Sequence, residues 1–227
     1  VRTIDEGRST ARDPGAAPRV RFDAIAVACA ALLPVVGWWY LSGASASGAS
    51  GGSGPDAQIW VRGVLALAYM YFAVISIVLT RIDIRTHRLP NAIVLPAYLV
   101  GGALLTIASA VSGDWSALLR AAIGMALMYG FYFALRLVRP GGMGGGDVKL
   151  AGVIGLFLAY LGWGALAVGV FAAFLLGGLF GMALILLRRA DGKTAIPFGP
   201  WMLAGAWAGI FVGEAIASGY SRLLPPG

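Results

Sequence analysis

The 227 residues are 59% hydrophobic and only 12% charged, about half the charged fraction of an average soluble domain (~25%), and the mean hydropathy is +0.82. These values exclude a soluble globular domain and point to an all-α, polytopic membrane bundle, because apolar runs near the roughly 20 residues that cross a bilayer recur along the chain. The net charge of +7 does not signal nucleic acid, since the basic residues are scattered rather than gathered on one soluble surface, and the single cysteine, Cys29, excludes an internal disulfide or a cysteine-cluster zinc site.

In chain order, residues 1–20 mix both charge signs with Gly, Pro and Ser and read as a disordered tail. Seven spans follow, at 22–41, 59–80, 92–111, 117–138, 148–161, 165–187 and 198–218. Residues 21–58 form a unit of the first span and a flexible Gly/Ser/Ala linker, 42–54. The alanine-rich first span fits both a retained helix and a cleaved signal peptide. Residues 59–218 form the membrane core, and 219–227 a short tail. The fifth span is short: about 14 residues cover only ~21 Å at helical rise, which implies tilt, mismatch or a partly re-entrant course.

Basic residues set the orientation, because cytoplasmic loops collect Lys and Arg. Alternating the spans places 14 of the 17 on one side; the other side has Arg62, Arg120 and Arg222. The N-terminus is therefore expected in the cytoplasm and the C-terminus outside.

With this topology two acids share the cytoplasmic boundary. Asp83 lies at the end of the second span, within Arg81-Ile82-Asp83-Ile84-Arg85, and Asp147 at the start of the fifth, after Gly144-Gly145-Gly146. Acids at such depth are costly and usually functional. Two close carboxylates cannot both ionise, so one keeps a proton while the other activates water, a hydrolytic arrangement that calls for no metal or cofactor. Helix ends are expected to split them: Asp147 opens a helix, which favours its anion, and Asp83 closes one, which favours its protonated form. Glu214, near the external end of the last span, reads as an interfacial acid, and His87, the lone histidine, as a solvated loop residue.

Gly144, Gly145 and Gly146 leave the backbone uncovered, so an extended peptide can approach Asp147. No phosphate-binding pattern is present, and no strand precedes the run. Leu89-Pro90-Asn91 makes a turn in which Pro90 holds Leu89 extended and Asn91 caps the third span. Ile196-Pro197-Phe198-Gly199-Pro200 precedes the last span; its prolines and glycine leave backbone groups for pairing with a bound chain, or simply start a helix.

Taken together these motifs resemble the type IV prepilin peptidases of the GxGD membrane aspartyl proteases. Asp83 followed by Leu89-Pro90-Asn91 looks like the family's first aspartate motif, Gly144-Gly145-Gly146-Asp147-Val148-Lys149 like its second, and the segment with Pro197, Phe198, Gly199 and Pro200 like its third landmark. The resemblance implies an endopeptidase of the bacterial inner membrane, with its site at the cytoplasmic face. It implies cleavage of a short basic leader from a prepilin or pseudopilin whose apolar helix lies in the bilayer, with Asp83 and Asp147 as the catalytic pair. Lys149 matches a motif position, although snorkelling towards lipid phosphates accounts for it equally well. Longer members carry an insert with two cysteine pairs that accompanies N-methylation. Its absence here implies a short form with peptidase activity alone.

The competing reading is a small transporter or assembly factor with Asp83 and Asp147 as an ion relay. Such a site belongs near the bilayer midplane, whereas both acids map to a boundary. A presenilin-like intramembrane protease would need Tyr-Asp and Pro-Ala-Leu motifs that this sequence lacks.

Overall fold

A computed structural model describes residues 55–87, 89–138, 144–187 and 198–223. Every element within them is a helix: α1 (Pro55–Thr86), α2 (Asn91–Ser112), α3 (Trp115–Val138), α4 (Gly145–Leu161), α5 (Trp163–Leu186) and α6 (Gly199–Leu223). The expected tail 1–20, first span 22–41, the linker 42–54, and the residues Cys29 and Pro197 lie outside the described residues.

Five helices, α1, α2, α3, α5 and α6, are long and apolar enough to cross a membrane. Charged residues do not end α1 at residue 80. It runs on through Arg81, Asp83 and Arg85, since charge disfavours lipid but leaves backbone helix bonds intact. It stops at His87, which adopts the left-handed conformation (φ 51°) and donates its N–H to the Asp83 carbonyl at 2.8 Å.

The short fifth span is α4, a regular helix of 17 residues, about 26 Å long, and it forms the centre of the bundle. Residues 151–160 are all buried. Helices α2, α3, α5 and α6 pack around it. From α1, Tyr69 donates its hydroxyl to the Phe157 carbonyl at 2.7 Å, and Phe72 stacks on the Phe157 ring at 4.7 Å. The helix spans less than the others because it is enclosed by protein.

Close approach depends on small residues, as expected where lipid gives no hydrophobic drive to helix association. Where α3 crosses α4, a Cβ on Gly155 would stand 2.4 Å from the Gly124 carbonyl oxygen. Where α5 meets α6, a Cβ on Gly205 would meet the Ala173 nitrogen at 2.4 Å and the Gly169 oxygen at 2.5 Å. These obstacles are backbone atoms, so the helices would have to separate.

At the joint between α4 and α5 two charged side chains satisfy helix ends. Arg120 donates Nε–H to the Ala159 carbonyl and Nη2–H to that of Tyr160, both at 2.7 Å. Glu214 accepts the Ala165 N–H at 3.1 Å. Terminal carbonyls and amides buried without partners are costly, and these bonds remove that cost. Arg120 and Glu214, which fit the sequence pattern only as residues of the external side, therefore hold the turn at Gly162. Nearby, Asp114 starts α3 by accepting the Ala117 N–H at 3.0 Å.

Two substitutions test this packing in detergent by thermal unfolding. Gly205→Ala is expected to destabilise by about 2 kcal/mol through overpacking, whereas Gly178→Ala, with nothing within 4 Å of the added Cβ, is neutral or slightly stabilising. Arg120→Met is expected to cost about 1–3 kcal/mol by stranding buried carbonyls.

Candidate active site

Three helix ends converge at one end of the bundle: the C-terminal end of α1 and the N-terminal ends of α4 and α6. Asp83, in the last turns of α1, is only 4% exposed. Its Oδ2 accepts the backbone N–H of Gly199, the first residue of α6, at 3.1 Å. That amide is one of the donors a helix N-terminus leaves unpaired. A Cβ on Gly199 would lie 2.6 Å from the same oxygen, so only glycine permits the approach.

Asp147 is the third residue of α4, and Gly144 is its N-cap. A Cβ on Gly144 would stand 3.4 Å from the Asp147 Oδ2, so the carboxyl lies against the start of its own helix. Burial, and after it the charge of Asp83, push the Asp147 carboxyl up to about 6, while the backbone at Gly144 pulls the other way. These two effects oppose the helix end that was expected to favour the Asp147 anion. Asp83, moreover, meets the positive N-terminal end of α6 as well as the negative end of its own helix.

The remaining candidates from the sequence fall around this pair. Gly146 faces Leu89, where a Cβ would come within 2.7 Å of the leucine Cβ, so the turn after α1 locks onto the start of α4. Gly145 lies under the Arg136 guanidinium, at 2.6 Å by the same measure. Pro90, extended at φ −71° and ψ 128°, is the N-cap of α2, and its carbonyl accepts the N–H groups of Ile93 and Val94. Asn91 therefore does not cap that helix as expected. It is the first helical residue, and its Oδ1 accepts the Lys149 ammonium at 2.9 Å. Phe198 packs on Phe174 with ring centroids 5.5 Å apart, and Pro200 is the second residue of α6. Among the described residues no three His, Cys, Asp or Glu side chains gather as a metal ligand set.

Residues 70–182, which include both aspartates, match the type IV leader peptidase family. The chain is 34% identical over 155 residues to a prepilin leader peptidase/N-methyltransferase of Aeromonas salmonicida, covering 68% of this chain and 52% of that protein. A protein of the same name from Pseudomonas putida is 31% identical over 212 residues, 90% of this chain and 63% of the relative. One from Bacillus subtilis is 32% identical over 152 residues, 67% and 58%. The chain belongs to the type IV leader peptidase family. It spans about half to two thirds of the length of these curated relatives. No solved structure matches it with significance.

In this leader peptidase family member the structure adds two residues that sequence reasoning passed over, Tyr132 and Arg136. Both lie on one stripe of α3, after the buried residues Ala117, Ala121, Gly124 and Met128. The signal was available. A tyrosine at the end of a stripe of small residues, on a helix otherwise clad in large apolar side chains, marks where that stripe meets a polar site.

The Asp147 carboxyl has a stability consequence. Because its pKa is raised on folding, the folded protein binds more protons between about 4 and 6, and stability falls as pH rises through that window. Asp147→Asn is expected to raise the melting temperature at pH 7.5, by the equivalent of about 1–2 kcal/mol, and to change it little at pH 4.5. Equal effects at both pH values would contradict the assignment.

Proposed function

We propose that the protein is a membrane aspartyl endopeptidase that removes the leader from a prepilin-like or pseudopilin substrate. The observation that carries this reading is the asymmetric carboxylate pair: Asp83 buried with the Gly199 N–H on its oxygen, and Asp147 pushed up to about 6 by burial and by Asp83. One proton shared unequally by two acids is what hydrolysis of a peptide bond requires. Asp83, as the anion, takes a proton from water whose oxygen bonds to the scissile carbonyl carbon. Asp147 gives its proton to the carbonyl oxygen, producing a gem-diol. On collapse Asp147 recovers a proton from one hydroxyl, Asp83 delivers its own to the nitrogen, and the C–N bond breaks. Both acids return to their starting forms.

The position of the pair supports a leader peptidase over an ion relay. Both acids lie at helix ends, where a substrate's polar leader can meet them while its apolar helix remains in lipid, and neither lies in the middle of a helix as a midplane site would require. The relatives' printed name supports the same substrate class. Gly144, Gly145 and Gly146, with Pro90, Phe198, Gly199 and Pro200, are the residues assigned to shape the site around the pair, and the Lys149–Asn91 bond braces the helix starts beside it. The membrane core at 59–218 carries the site, in the bacterial inner membrane and facing the cytoplasm. The reading concerns leader cleavage, the activity for which this stretch holds the residues.

Incubation of the detergent-solubilised protein with a prepilin, followed by sequencing of the new N-terminus, tests the reaction. Asp83→Asn and Asp147→Asn are each expected to lower cleavage by at least about 100-fold with the helical signal intact. Gly199→Ala, which displaces Asp83 without altering its chemistry, is expected to cost on the order of 10- to 100-fold. Undiminished cleavage by either asparagine variant would defeat the proposal.

A further inference from the structure

Buried polar groups are nearly always paired, and the other well-enclosed tyrosines obey the rule. Tyr69 donates to the Phe157 carbonyl, Tyr98 to the Lys149 carbonyl, and Tyr160 shares a bond with Ser109. Tyr132 is wholly buried, yet its hydroxyl has no hydrogen-bond partner among the described residues. Its ring lies against Phe174 of α5, centroids 5.9 Å apart, and against Phe198 at 6.3 Å. Phe198 immediately precedes Gly199, whose amide holds Asp83. One turn further along α3, the Arg136 guanidinium overlies Gly145, two residues before Asp147. A donor is thus held by aromatic packing on the part of α3 that faces the start of α4, with no competing acceptor among the described residues.

We propose that Tyr132 is a positioning residue for Asp147, its hydroxyl turning onto the carboxylate as that group gives up its proton. The inference rests on the dyad reading above. In the form of the dyad that starts the proposed cycle Asp147 is the protonated partner and needs no donor; in the gem-diol state it is an anion in a buried place, and the hydroxyl then acquires an acceptor. An interaction absent from the ground state and formed as charge develops accelerates the step itself and leaves substrate binding unchanged. The charged and titratable groups at this end are Arg81, Asp83 and Arg85 of α1 with His87 just after it, Tyr98 of α2, Tyr132 and Arg136 of α3, and Asp147 and Lys149 of α4; the described parts of α5 and α6 bring none.

Tyr132→Phe removes the hydroxyl and keeps the ring between Phe174 and Phe198. Its expected signature is a fall in kcat of about 10-fold with KM unchanged. The alkaline limb of the pH–rate profile should move up by about 0.5–1 unit, because loss of a donor disfavours the Asp147 anion. The melting temperature should rise by about 2–4 °C, since an unpaired buried hydroxyl has gone. A fluorotyrosine at 132, a stronger donor of the same shape, should move the same limb down. Tyr129→Phe, on the exposed side of α3, serves as the control and should leave kcat and the limb in place. If Asp147→Asn abolishes cleavage while neither change at 132 moves kcat or the limb, the Tyr132 role is overturned and the dyad stands. If Asp147→Asn still cleaves, the dyad reading fails and the Tyr132 role fails with it.

Discussion

The bond from the Gly199 amide to the Asp83 carboxylate ties together residues 116 apart in sequence, at 3.1 Å, and the arrangement of the site depends on it. An acid 4% exposed has to find donors within the protein, because the cost of an unpaired buried charge exceeds what a single helix can offset. The donor is another helix's own vacant N-terminal amide, so satisfying Asp83 fixes where α6 begins. With that start fixed, Phe198 falls against Phe174 and Tyr132, and the aromatic wall of the site is a by-product of an electrostatic requirement.

The second acid is placed by packing rather than by charge. Helix α4 sits in the middle of the bundle because α3 can approach it to within backbone contact at Gly124 and Gly155. At its first turn Gly146 admits Leu89, which fastens the turn after α1. Asp147 is one residue further on. The approach of the two carboxylates therefore follows from a glycine contact and a hydrogen bond that are independent of each other, which keeps the pair aligned even though like charges repel.

Much of this was legible from residues in order. Helices, their approximate limits and the shared face of Asp83 and Asp147 follow from apolar runs and alternation, since five of the six described helices are long apolar segments. Helix ends were less legible. A hydropathy reading stops α1 where charges begin, whereas its backbone bonding continues to Thr86. Pro90 takes the capping position expected of Asn91 because proline already supplies the extended backbone. The influences on the proton balance were only half visible, because the sequence shows each acid's own helix, while the approach of α6 and the burial of Asp147 are tertiary facts. The place of Tyr132 at the end of the α3 stripe was readable, but aromatic side chains are common in such helices, and that its hydroxyl has no partner among the described residues is a tertiary fact.

Arg120 and Glu214 fasten the bundle at the Gly162 joint with charged hydrogen bonds, and the dyad lies at the opposite end of α4, about 26 Å away. The fastening is thus lopsided. At the joint, breaking a contact would strand a backbone group with nothing to replace it. At the dyad, α6 is held by its own backbone amide on a carboxylate, and a bound peptide's N–H is a donor of the same kind. The far end is therefore held by bonds internal to the bundle, whereas the bond at the dyad is of a kind that an incoming chain also offers.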